Sequence, residues 1–313
     1  MQRATENKII LIIRNTRLDD LIVRFNTLSQ AQFYVEHLGA DFSDYLQEHQ
    51  NYHATAQNAQ QQLQTLGKVQ VVHRHFLPNF IFAPQDIVVV LGQDGLVANT
   101  LKYLDKQPVI GINPEPRRWE GVLLPFQVHE LSKIVKEVFA KRRKLEKVTM
   151  AKAQLSDGQI LYAVNDLFIG QKTHTSARYL IQHHQHQEQH SSSGVIVSTG
   201  MGATGWFKSL LAGAQGITQA WTGKKEHVST TDSNFAWHSD YLYFTVREPF
   251  PSTQSTINLI FGKITPQQPL TLVSQMSENG VIFSDGIEND FIEFNSGMQV
   301  SIGLADKKGY LVV

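Results

Sequence analysis

The feature that most constrains this chain is a rhythm of short, β-branched apolar runs separated by stretches long enough to hold a helix. Residues 9–14, 69–73, 86–91 and 108–113 are each too short for a typical buried helix and are built from residues that favour buried strands. The intervals between them are polar and poor in β-branched residues. The Gln-rich stretch 54–66, closed by Gly67, has the composition and the terminal glycine of a helix. Strand, crossover and strand in repetition predict parallel βαβ units.

The rhythm changes near the middle. Residues 127–145 place Leu131, Ile134, Val135, Val138, Phe139 and Leu145 at helical spacing, and the basic cluster 141–144 suits a helix carboxyl terminus. Beyond it the β-prone runs at 160–164, 195–198, 241–246, 256–261, 270–273 and 300–304 predict an antiparallel β-rich half. A chain of 313 residues exceeds what one ordinary core organises well, so two domains are expected, 1–147 and 148–313, with the boundary near 145–152.

Lys plus Arg and Asp plus Glu are 28 each, which removes any global field favouring nucleic acid or an anionic membrane, so any anion site must be local. With no cysteine, disulfides, thiolate metal sites and cysteine nucleophiles are excluded. The polar residues 1–7 and the short apolar run after them fit neither a signal peptide nor a membrane span, and a cytoplasmic protein is expected. His183, His184, His186 and His190 lie in a turn-like segment that reads as a solvated hairpin tip, so no protein-held metal is assigned.

Three segments carry chemistry. After the apolar run 87–91 comes Gly92-Gln93-Asp94-Gly95, and 96–104 suits a helix. Such a turn at the end of a parallel strand opens backbone N–H groups to a phosphate, and Asp94 is placed to accept a hydroxyl proton or help hold a metal bound to phosphates. By themselves these four residues suit an ordinary β-turn with a helix-flanking aspartate equally well. Next, Asn165-Asp166 follows a β-run, and the adjacent amide and carboxylate offer paired hydrogen bonds to vicinal ribose hydroxyls, or an Asx turn. Last, the run 193–198 enters a loop rich in glycine and hydroxyls. There Gly202 lets a ligand approach the backbone, Thr199 and Thr204 offer hydroxyls, and Trp206 offers a stacking face or a core side chain. No Walker loop and no Gly-x-Gly-x-x-Gly in the first βα turn is present.

In order and separation, these segments resemble the signatures of the NAD kinase family: Gly-Gly-Asp-Gly in the first domain, Asn-Glu and a Ser-Thr…Thr-Gly-Ser-Thr-Ala-Tyr loop in the second. The mitochondrial-type branch is the more similar, through the segments 109–116 with Glu120-Gly121, 165–170, 192–194 and 246–249, together with Asn15-Thr16-Arg17, Asp285-Gly286 and 291–294. The resemblance implies an α/β plus β architecture: a Rossmann-like first domain with a parallel sheet, a β-sandwich-like second domain, and an active site in the interdomain cleft. It implies ATP and Mg²⁺, with the metal held mainly through phosphates, NAD as the substrate, and a homodimer. Asp94 matches the residue that activates the accepting hydroxyl, Gly92 and Gly95 the phosphate-facing turn, and Asn165 and Asp166 the ribose pair. Thr199, Gly202, Thr204 and Trp206 match the dinucleotide loop, and Asn113, in the segment 109–116, is placed with the nucleotide-binding residues.

Two departures fall on the phosphate turn. Gln93 stands for the usual second glycine and Leu96 for the usual threonine, and each loss is expected to weaken ATP binding by about 1–3 kcal/mol. Ser193 replaces an aspartate and Trp206 a tyrosine, as expected in the mitochondrial-type branch. The sequence alone thus leaves open an active NAD kinase, a catalytically weak dinucleotide-binding homologue, and a related kinase for a sugar, nucleoside or lipid hydroxyl.

Overall fold

The computed structural model describes residues 8–223, 235–253, 255 and 257–313. The chain divides into two compact units, one running up to Glu146 and including Tyr310–Val313, the other Lys147–Gly309.

In the first unit, strand β1 (Lys8–Ile13) is followed by helices α1 (Arg17–Phe25), α2 (Leu28–His37) and α3 (Phe42–Gln64), then β2 (Lys68–His73), β3 (Ile87–Leu91), helix α4 (Asp94–Leu101), β4 (Pro108–Ile112) and helix α5 (Leu131–Phe139). The four strands pair in parallel in the order β2-β1-β3-β4. All five residues of β3 are buried, as befits a central strand covered on both faces. One core cluster joins Ile9, Leu11, Val89 and Leu91 to Tyr52 and Leu63 of α3 and to Leu131 and Ile134 of α5. At about 1.5–3 kcal/mol for each large buried apolar side chain, this packing holds the sheet more firmly than helix propensity does.

Helix α5 is shorter than its apolar spacing suggests. After a 3₁₀ turn at Val128–Glu130 it runs only to Phe139 and ends in a Schellman-type cap: the N–H of Arg142 donates to the carbonyl of Glu137, and Lys141 adopts φ 55°. The basic cluster therefore lies past the helix end, and Leu145 opens a strand.

The second unit contains β5 (Leu145–Leu155), β6 (Ile160–Ala163), β7 (Asp166–Gln171), β8 (Ala177–His183), β9 (His186–Ser192), β10 (Val195–Ser198), helix α6 (Trp206–Thr222), β11 (Leu242–Val246), β12 (Phe261–Ile264), β13 (Leu270–Ser274), β14 (Gly280–Ser284), β15 (Ile287–Glu293) and β16 (Gln299–Val312). An antiparallel six-stranded sheet runs β12-β11-β10-β7-β14-β15. Antiparallel pairs β16-β13, β13-β8 and β8-β9 form the body of the other sheet. A single apolar cluster takes residues from both, including Leu167, Ile169, Val195 and Phe244 with Tyr179, Ile181, Leu272 and Ile302, and so gives a β-sandwich-like core. Strand β16 runs on well past residue 304, and its residues from Tyr310 on belong to the first unit, where Tyr310 and Leu311 pair in parallel with β4.

Two expectations for this half are corrected. The run 256–261 does not form a strand, since β12 starts only at Phe261. The N–H groups of Asn258 and Leu259 donate to Oε2 of Glu188 (3.1 and 3.0 Å) instead of to a neighbouring strand, and Thr256 lies outside the described residues. The histidine segment is a β8–β9 hairpin whose tip, 184–187, is exposed, but not all of its histidines are solvated. Only His184 and Gln185 form the turn, with His184 at φ 55°, while His183 and His190 are buried at 5% and 3% exposure because strand alternation turns them inward. Among the described residues no helix is long and apolar enough to cross a membrane.

Candidate functional site

In the first unit the turn after β3 is set by its surroundings. Gln93 is the N-cap of α4 in extended conformation, and its carbonyl accepts the N–H groups of Leu96 (2.8 Å) and Val97 (3.3 Å). Asp94 is therefore the first helical residue, where a carboxylate meets the positive end of the helix dipole. Its Oδ1 accepts the N–H of Leu123 at 2.7 Å. Leu123 comes that close because position 111 is glycine: a Cβ there would stand 2.0 Å from the Leu123 carbonyl oxygen. Gly92 donates its N–H to Ile112 (3.3 Å), and Leu96, buried, presses against Gly92 where the sequence resemblance leads one to expect a threonine.

The turn also has a cation beside it that the sequence did not single out. Arg14, one residue past β1, lies against Gly92, and its guanidinium pairs with Glu48 (3.0 Å) and sits 5.0 Å from the Tyr52 ring centroid. Tyr52 ties the two strand ends together, since its hydroxyl donates to the Leu91 carbonyl and accepts the Arg14 N–H, both at 2.9 Å. Burial pushes the Tyr52 phenol up to about 12, so this donor stays protonated. Burial also works against the charge on Glu48, yet Arg17 and Arg14 outweigh it and hold the carboxyl below its ordinary value. Asn113 is buried and engaged with its own loop: its amide nitrogen donates to the Trp119 carbonyl (2.9 Å) and its Oδ1 accepts the Glu115 N–H (3.0 Å).

In the second unit, Asn165, Asp166, Thr199 and Gly202 come together at the ends of β7 and β10, where Asp166 pairs in register with Ser198. The Thr199 hydroxyl donates to the Val164 carbonyl and accepts the N–H groups of Met201 and Gly202, both at 3.2 Å. The Thr199 N–H donates to the Asn165 carbonyl (2.9 Å), and a Cβ at Gly202 would come 2.1 Å from that same oxygen. Thr199 is thus fully buried and holds the loop in shape, whereas Thr204 is exposed.

Asp285 is the organiser that sequence reasoning noted only as a resemblance. Its Oδ1 accepts the N–H groups of Val164 (3.0 Å), Asn165 (2.6 Å) and Asp166 (3.3 Å). Asp285 itself adopts φ 56°, a left-handed conformation that aspartate tolerates better than most residues. Beside it Asp166 is 8% exposed, and burial, then the Asp285 charge, push its carboxyl up to about 7.

Period two along β7 puts Phe168 on the same face as Asp166. Trp206, the first residue of α6, stacks on Phe168 with centroids 5.9 Å apart and planes 12° off parallel, and the Arg247 guanidinium lies 5.2 Å from the Trp206 centroid. These three side chains, with Lys172, Phe283 and Phe291, line a cavity of about 300 Å³. An aromatic floor with cations at its rim suits a planar heteroaromatic ring attached to an anionic group.

No protein-family model and no curated protein matches this sequence. Solved structures do. An NAD kinase from Archaeoglobus fulgidus, in complex with ATP, superposes with a TM-score of 0.55 at 13% identity, over 98% of this chain and 93% of that one. A yeast NADH kinase complexed with NADH superposes with a TM-score of 0.56 at 14% identity, over 99% of this chain and 84% of that one. The fold, a parallel-stranded α/β unit followed by an antiparallel β unit, is therefore that of the solved NAD kinases.

Proposed function

We propose that this chain is an NAD(H) kinase, transferring the γ-phosphoryl group of ATP to the 2′-hydroxyl of the adenosine ribose of NAD or NADH. The observation that carries this reading is Asp94: a carboxylate at the first residue of α4, directly after a glycine turn at the carboxyl end of a buried parallel strand, with Arg14 alongside. The NAD kinase fold and the four sequence segments similar to the mitochondrial-type branch support the same reading.

The ribose oxygen forms a bond to the γ-phosphorus as the bond from that phosphorus to the β–γ bridging oxygen breaks. The hydroxyl proton passes to Asp94, and ADP leaves with the bridging oxygen. Because Leu123 holds Oδ1, the carboxylate is fixed in orientation before substrate binds, which is where positioning lowers the barrier. Arg14 and the first turn of α4 offset phosphate charge. The donor set fits a magnesium ion held through phosphate oxygens and not by a protein cage, since Glu48 is committed to Arg14 and Arg17; when bound, such an ion neutralises charge on the phosphates. In the second unit, Asn165 and Asp166 bind ribose hydroxyls and Trp206 stacks on a base.

The test is NADP formation from NAD, ATP and Mg²⁺, with calorimetry of NAD binding and an Asp94→Asn control. Turnover lost in the control with NAD binding intact supports the reading. Full turnover in the control overturns the role of Asp94. NAD binding without turnover in the native chain turns the reading toward a weak homologue, which the contact of Leu96 with Gly92 favours.

A further inference from the structure

We propose that Asp19, His49 and His53 form a binding site for a zinc-class divalent metal ion that ties α1 to α3. The three ligand atoms, one from each residue, lie within 4.8 Å of one another. His49 and His53 are four residues apart on α3 and so share one helix face, while Asp19 comes from the first turn of α1. Oδ1 of Asp19 faces both rings, with Nε2 of His53 at 3.2 Å and Nδ1 of His49 at 3.5 Å. With metal–ligand bonds of about 2.0–2.1 Å, tetrahedral coordination requires ligand atoms about 3.3 Å apart. Both separations bracket that value, and on binding the Nδ1 of His49 exchanges its 3.0 Å hydrogen bond to the Thr16 hydroxyl for the ion.

The surroundings have the features that accompany such sites. Asp19 is oriented from behind by Thr16, whose N–H (2.7 Å) and hydroxyl (2.9 Å) both donate to its Oδ2, as outer-shell donors orient ligating carboxylates. The side chains of His49, His53 and Asp19 are 26%, 49% and 24% exposed, which leaves a path for the ion and room for a solvent ligand. An imidazole pair with one carboxylate and an open position is the donor set of zinc-class ions, whereas magnesium and calcium prefer oxygen ligands.

On binding, the ion takes the place of the proton that His53 now shares with Asp19, and the backbone bond from Thr16 stays. The link fixes the start of α1, immediately after β1, to the middle of α3.

The experiment is titration of the metal-free full-length chain with Zn²⁺ against a chromophoric chelator, together with Co²⁺ substitution followed by visible absorption. One equivalent is expected to bind, with the intense absorption of four-coordinate cobalt, and the melting temperature is expected to rise with Zn²⁺ concentration. His49→Gln with His53→Gln is expected to lower affinity by at least about 100-fold, beyond the 10- to 100-fold typical of losing an outer-shell partner. His53→Gln alone, at the most exposed of the three, serves where the double variant melts early. Absence of saturable binding overturns the proposal. So does equal affinity in the variants, which would assign the binding to other histidines such as His184 and His186.

Discussion

Asp94 and Asp285 are both aspartates at turns that accept backbone N–H groups, yet the two are placed for opposite purposes. Asp94 begins a helix and takes one backbone bond, from Leu123, so that a carboxylate is oriented without being enclosed. Asp285 takes three, from Val164, Asn165 and Asp166, and acts as a fixed acceptor around which a loop is folded. In the second region the group free to change its protonation near neutrality is the neighbour, Asp166, which burial and the Asp285 charge force upward. In the proposed reaction, proton transfer and binding-site rigidity thus fall to different carboxyls.

The comparison breaks most readily at Asp94. Asn keeps an oxygen for the Leu123 N–H and removes only the base, so steady-state kinetics should show kcat down by about 10²–10⁴-fold with little change in stability. Next in size is Asp285→Ala, which strands buried N–H groups and should lower unfolding free energy by about 3 kcal/mol in a denaturant titration. A loss below about 1 kcal/mol would deny Asp285 its organising role.

Asp166 sharpens the contrast through pH. Its folded pKa, about 7, lies above the ordinary value of 3.8, so the folded chain binds this proton more tightly than the unfolded chain does. Its contribution to stability is complete below about 4 and is lost as pH rises through about 7, at no more than about 1.4 kcal/mol per unit. Asp166→Asn should flatten this slope in melts taken across that window, and an unchanged slope would assign it elsewhere. Trp206→Ala should weaken dinucleotide binding by about tenfold in calorimetry, because stacking contributes on the order of 0.5–1.5 kcal/mol beyond burial. The smallest effect is at Gly95, where an added Cβ meets nothing within 4 Å. Gly95→Ala should stabilise the chain by about 0.5–1 kcal/mol while raising the KM for ATP, since the methyl group stands at the phosphate approach. Loss of stability instead would show that the turn is more crowded than it looks.

The elements legible in the order of residues are those that short-range chemistry encodes. The runs at 9–14, 86–91 and 195–198 became β1, β3 and β10 because short apolar runs with three or four β-branched residues, bounded by polar or glycine positions, have few other stable states. The Gly92-to-Gly95 turn was readable for the same reason, being contiguous. Where partners decide, the reading failed: Ile257 and Ile260 are as β-prone as any strand residue, but Glu188, far away in sequence, takes the N–H groups between them. His183 and His190 have the composition of a turn and are buried by the strand pairing around them.

The candidate site divides in the same way. Thr199 was visible as a hydroxyl beside glycines, though not that it closes its own loop onto Val164, and Asn113 was visible as an amide, though not that Trp119 and Glu115 engage it. Arg14 beside Gly92, Asp285 beneath Asn165, and Asp19 between His49 and His53 join segments from 30 to 120 residues apart. Only the tertiary structure decided these, because a hydrogen bond or a ligand set depends on separations of about 3 Å in space, and sequence distance carries no information about them.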